Sequence, residues 1–144
     1  MQRLIDTLLS SGCSLVVESQ GDVRTYDKKG VRDLVWLLDH EPERLCGARV
    51  ADKVVGKASA GLLVQGGVSE VYAHVLSRLA IPLLDCAGIV YTYGELVDRI
   101  VIPDGDTRCP LEQIVQLATT AQEVERLLRD HFAEMQSRNT TSFQ

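Results

Sequence analysis

Apolar and polar positions repeat along this chain with two different periods, and the switches between them mark its elements. Leu4, Ile5, Leu8 and Leu9 stand at helical spacing, which predicts an amphipathic helix over residues 2–10. Residues 13–19 are apolar and rich in β-branched side chains. Gln20-Gly21-Asp22 is a turn signal, and residues 23–26 continue as a second strand, so a β-hairpin is expected. Val31, Leu34, Val35, Leu37 and Leu38 return to helical spacing over 31–39, and Pro42 turns the chain. The next helix is predicted over 51–65. After Lys57 no charge occurs until Glu70, so its second half is apolar or small on every side, as in a buried central helix. Gly66-Gly67 supplies its stop.

Residues 68–76 predict a buried strand, 78–87 a helix, and 89–93 and 96–102 two further strands, the last an edge because it carries Asp98 and Arg99. Residues 103–106 are expected to form a turn, followed by helices over 110–118 and 121–135. This order describes an α/β domain: a mixed sheet of four or five strands covered by helices on both faces. The unit running through 68–74, 78–87 and 89–93 is expected to be a right-handed parallel crossover. The domain spans residues 1–136, and 137–144, which lack a core pattern, are expected to fray.

At 144 residues the chain suits one domain with a core large enough to need neither disulfide nor structural metal. It has 20 acidic and 15 basic side chains and only 5% aromatics. That balance disfavours nucleic-acid binding, which calls for basic grooves and stacking rings. No apolar run approaches the ~18 residues of a spanning helix, and the opening segment lacks a secretory pattern. Neither a membrane nor an export route is expected. Cysteines 13, 46, 86 and 109 form no CxxC pair and read as reduced thiols of a cytoplasmic protein. His40, His74 and His131 are scattered, so neither a metal nor another cofactor is expected.

Two places concentrate chemistry. The first is Asp52, Lys53 and Lys57. The chain has only four lysines, and on the predicted helix two of them stand four apart on a face continued by apolar Ala60 and Val64. Cations in a first helical turn oppose the helix dipole, and an anion bound to the free N–H groups would offset that cost. Lys53 and Lys57 are therefore expected to hold a phosphate or carboxylate, with Asp52 orienting a polar group. A desolvated lysine acting as a base is an alternative chemistry. The structural alternative is that both lysines reach solvent or pair with acidic side chains.

The second is Arg108-Cys109-Pro110-Leu111-Glu112. Pro110 suits a first helical position, which makes Cys109 the N-cap and Glu112 the third helical residue, close to a capping-box arrangement. A thiol at a helix N-terminus beside Arg108 has physical reasons for a lowered pKa and for service as a nucleophile or sulfur carrier. The alternative is a small packed residue in a tight turn. Cys13 and Cys86 are expected to be buried, and Tyr72 to pack at the sheet surface.

The segments ADKVVGKA at 51–58, GGVSEVYA at 66–73 and CPLE at 109–112 resemble an uncharacterised bacterial and archaeal family of about this size. It is known only as a domain of unknown function, and its members have a cytidine-deaminase-like fold. The resemblance covers residues 1–118 and implies a three-layer α/β/α sandwich. It matches the helix beginning near Asp52 to the deaminase helix that carries the first zinc ligand and the catalytic Glu. It matches the helix near 78–87 to the one opening with PCxxC. Here neither His-x-Glu nor Cys-x-Glu occurs over 52–60, and Pro82 is followed by the single Cys86. Zinc deamination needs all of those groups, so it is disfavoured. The leading expectation is a metal-independent, deaminase-like domain that binds a small anionic, nucleotide-like metabolite, with Arg108 and Glu112 near Asp52, Lys53 and Lys57. One alternative is an enzyme using Cys109 as a thiolate. The other is a non-catalytic structural or interaction module, in which the stripe of Val124, Leu127, Leu128 and Phe132 is core or a homodimer surface.

Overall fold

The computed structural model describes residues 1–28, 31–100 and 110–141. The chain opens with helix α1 (Gln2–Ser10), then strands β1 (Leu15–Ser19) and β2 (Asp22–Tyr26). These form the expected hairpin, with Ser19 paired to Asp22. Gln20 and Gly21 both have positive φ, which suits the tight turns that match strand twist. Helices α2 (Arg32–His40) and α3 (Pro42–Leu45) follow.

The single helix predicted over 51–65 is two elements: strand β3 (Arg49–Val55) and helix α4 (Lys57–Gly66). β3 lies between β1 and β4 and is largely buried. A strand covered on both faces reads as a nearly continuous apolar run, so it shows no alternation to separate it from a buried helix. Gly56, in extended conformation, is the junction.

Strand β4 (Glu70–Ser77), a short 3-10 turn (Arg78–Ala80), helix α5 (Ile81–Cys86) and strand β5 (Val90–Val97) complete the sheet. The two strands expected over 89–93 and 96–102 are one element through Val97, and residues 101 and 102 lie outside those described. Gly94, which reads as a break, sits within β5 for a steric reason. A Cβ there would stand 2.9 Å from the His74 carbonyl oxygen and 3.0 Å from the Tyr72 hydroxyl.

The sheet order is β2-β1-β3-β4-β5. β1 is antiparallel to both its neighbours, while β3, β4 and β5 are parallel. The architecture is α/β with a mixed five-stranded sheet. The number of strands is as expected, but the membership differs: β3 enters and the two C-terminal strands merge. On one face α1 sets Leu4 and Leu8 against Val16, Ala51 and Tyr72. On the other, the remaining helices enclose the main core, giving three layers.

Helix α4 lies at the centre of that core, with Ala58, Ala60, Leu62 and Leu63 buried. Helix α6 (Pro110–Ile114) and the long α7 (Ala121–Thr141) close over it. Val124 and Leu128 of α7 are fully buried, and Leu127 and Phe132 pack against the same cluster. That stripe is core, where each large side chain contributes about 1.5–3 kcal/mol. Among the described residues, no helix is long and apolar enough to cross a membrane.

Candidate functional site

Three parallel strands end on one side of the sheet, the side where α/β folds place their ligands. Two adjoining cavities lie there. One, of about 310 Å³, is lined by Ser14, Val31, Asp52, Lys53, Val54, Gly56, Ala58, Ser59, Ile100, Leu111 and Glu112. The other, of about 540 Å³, is lined by Lys57, Leu79, Asp98, Arg99, Ile100, Glu112 and Gln116. Ile100 and Glu112 border both.

Asp52 is positioned by β3, where it pairs with Leu15 on one side and Ala73 on the other. Its side chain is buried, with 9% exposure. Burial pushes its carboxyl up to about 7, opposed by the backbone N–H groups of Val54 and Lys53 and reinforced by the charge of Asp33. The Val54 N–H donates to its Oδ1 at 3.3 Å. Asp33 is itself buried and accepts the Lys28 N–H at 3.0 Å. A carboxyl held near neutrality in a cleft can both donate and accept a proton under ordinary conditions.

Lys53 and Lys57 do not share a helix face. Lys53 belongs to β3 and lines the Asp52 cavity; Lys57 is the first residue of α4 and lines the larger one. The cost of a cation at the head of α4 is relieved by the chain itself. The Lys57 ammonium donates to the Gln116 carbonyl oxygen at 2.9 Å. The Glu112 carboxylate accepts the Lys57 N–H at 2.7 Å on one oxygen and the Ala58 N–H at 2.9 Å on the other. Glu112 therefore caps α4; the capping box expected within its own helix involves Cys109, which lies outside the described residues. The geometric reason is that both its oxygens face the two free N–H groups of another helix. Gly56 is matched to this cap, since a Cβ there would collide with the carboxylate.

The structure thus gathers Asp52, Lys53 and Glu112 around one cavity and sets Lys57 against Glu112 from the next. Arg108 and Cys109 lie outside the described residues. Pro110 does open α6. Sequence reasoning missed Ser14, Ser59, Arg99 and Gln116. Ser59 carried a faint signal, as a hydroxyl among small residues of a buried helix. Gln116 contributes through its backbone and carried none.

The first turn of α4 holds Lys57, Ala58 and Ser59, a donor set that does not fit zinc. Cys86 is exposed, contrary to expectation, because α5 ends there. It opens onto a different cavity with Val64, Pro82 and Thr119. Among the described residues, no group of three His, Cys, Asp or Glu side chains could hold a metal ion. Cys13 is buried, and Tyr72 packs on the sheet with its hydroxyl 3.2 Å from His74 Nδ1.

Residues 3–132 match the family model described as a domain of unknown function (DUF1893). A crystal structure of a DUF1893 family protein (TM1506) from Thermotoga maritima is 25% identical with a TM-score of 0.82, over 90% of this chain and 88% of that one. RibD of Acinetobacter baumannii is 18% identical with a TM-score of 0.47, over 65% of this chain and 33% of that one. No curated protein matches the chain.

Proposed function

Because the chain belongs to the DUF1893 family, a family of unknown function, we propose a role drawn from the site's own chemistry: binding of a small nucleotide-like metabolite. The Asp52 cavity takes a neutral hydrogen-bonding head, and the anionic part lies toward Lys53 and Lys57. One observation carries this reading. Asp52 is buried at a cavity wall with backbone N–H groups as its partners and, among the described residues, no cation bonded to its carboxyl. A buried acid kept only for structure is normally paired with a charge.

A carboxyl near neutrality suits a heterocycle edge that carries a donor beside an acceptor, as nucleobases do. The cavity is lined mainly by apolar groups, which suits a ring. Lys57 and Arg99 border the adjoining cavity, within reach of a phosphate attached to such a ring.

Calorimetric titration with cytidine, uridine and their 5′-monophosphates tests the reading. The expected result is binding that Asp52→Asn weakens for nucleoside and monophosphate alike. Lys57→Ala should remove only the advantage of the monophosphate. Binding unchanged in Asp52→Asn, Lys53→Ala and Lys57→Ala would overturn it, as would the failure of every compound to bind the wild type.

A further inference from the structure

The negative group at the head of α4 is part of the chain. We propose that the Lys57 and Ala58 amides, with the Ser59 hydroxyl, form an oxyanion cradle that Glu112 fills from within, and that a ligand's phosphate or carboxylate binds by displacing it. This deepens the reading of the cavity as a ligand site and rests on it.

Three observations converge. The Glu112 carboxylate spans the two amides at 2.7 and 2.9 Å, one oxygen to each, which is the contact a bound acid group makes at a helix N-terminus. Ser59, in the same turn, is 7% exposed and lines the cavity. Its hydroxyl has no partner among the described residues, an unused donor at the edge of a filled cradle. Finally, α6 contributes no fully buried residue and rests on the core through the partly buried Leu111 and Ile114, so Glu112 sits on a lightly held helix. A rotation of its side chain frees both amides. The Lys57 ammonium, resting on the Gln116 carbonyl beside it, then stands next to the arriving charge.

The chemistry of exchange is balanced. One oxyanion leaves two N–H donors as another takes them, with no bond made or broken. The resident carboxylate acts as a tethered competitor that sets a threshold for weak anions. A ligand with a second point of attachment, at Asp52, clears that threshold where a lone anion does not.

The test uses inorganic phosphate as the probe and the backbone amide resonances of Lys57 and Ala58 as the readout. In the wild type, phosphate should shift both amides only at high concentration. In Glu112→Ala the same two amides should move to the same end-point at roughly tenfold lower phosphate or less. Glu112→Gln, which keeps an acceptor but loses the charge, should fall between and serves if the alanine variant does not fold. Amides unmoved by phosphate in the wild type, or no tighter binding in either folded variant, would overturn the cradle. The outcome is separable from that of the preceding proposal, because phosphate makes no demand on Asp52. Tighter phosphate binding in a protein that ignores nucleosides upholds the cradle and rejects the head-group reading. Asp52-dependent nucleoside binding without the phosphate effect does the reverse.

Discussion

Glu112 and Lys57 stand 55 positions apart in sequence, and the carboxylate of one accepts the backbone N–H of the other at 2.7 Å. Helix α4 begins after a glycine, which has no side chain to cap it, and a distant helix supplies the missing acceptor. Charge-assisted caps of this kind are worth about 1–2 kcal/mol. Glu112→Ala should therefore lower unfolding free energy by about that amount in urea titrations, and Glu112→Gln by less. A loss below ~0.5 kcal/mol, the range of an ordinary surface change, would show that the carboxylate is not held.

Gly56 and Glu112 should be energetically coupled. Gly56→Ala places a methyl where the carboxylate lies, so it should destabilise the wild type by about 1–3 kcal/mol. In the Glu112→Ala background the obstacle is gone, and the same substitution should cost distinctly less. A double-mutant cycle reads the difference as a coupling of about 1 kcal/mol, and strict additivity would reject the contact.

Asp52 makes a pH-dependent contribution whose sign follows from the direction of its shift. Burial raises the carboxyl from 3.8 to about 7, so the folded protein keeps a proton that the unfolded chain releases. This group costs nothing below about pH 4. Stability then falls as pH rises, and the loss is complete above about pH 7, where it reaches up to about 4 kcal/mol. Asp52→Asn should unfold at a higher temperature than the wild type near pH 8 and show no such advantage near pH 4. Parallel pH profiles for the two proteins would contradict the burial of a titrating acid.

Leu128 is fully buried between α7 and the core. Leu128→Ala should cost about 2–5 kcal/mol, the range for deleting a large core side chain. Sedimentation velocity on the folded variant separates this from an association surface. A core residue changes the melting temperature and leaves the subunit number alone.

What could be read from the sequence depended on whether a residue's neighbours in space were also its neighbours in the chain. The hairpin, the burial of α4 and the start of α6 at Pro110 are set by local spacing and turn chemistry, and each stands where the pattern placed it. β3 was hidden because a central strand and a buried helix share the same apolar run. The strand's end at Gly56 looks like a tolerated helix glycine until Glu112 is seen beside it. The site followed the same rule. Asp52, Lys53 and Lys57 stood out as charges beside an apolar run and Glu112 by its place after Pro110, yet their grouping around two cavities follows from the β3-α4-β4 crossover and from α6 folding back onto α4. The lysine pair lost its common face once Lys53 moved to a strand. The role of the Gln116 carbonyl was invisible, since every residue has one.

The cap on α4 also sets an order of events. Between its two ends lie β4, α5 and β5. Closing so long a loop adds little entropy cost beyond that of a shorter one, and a contact of this sequence separation is expected to form late in folding. It should also be lost early, since α6 is held only through the partly buried Leu111 and Ile114. Hydrogen exchange at the Lys57 and Ala58 amides then reports how often α6 lifts from α4, a local opening far below the free energy of global unfolding. The strands beneath would stay protected while the site above them forms and dissolves many times.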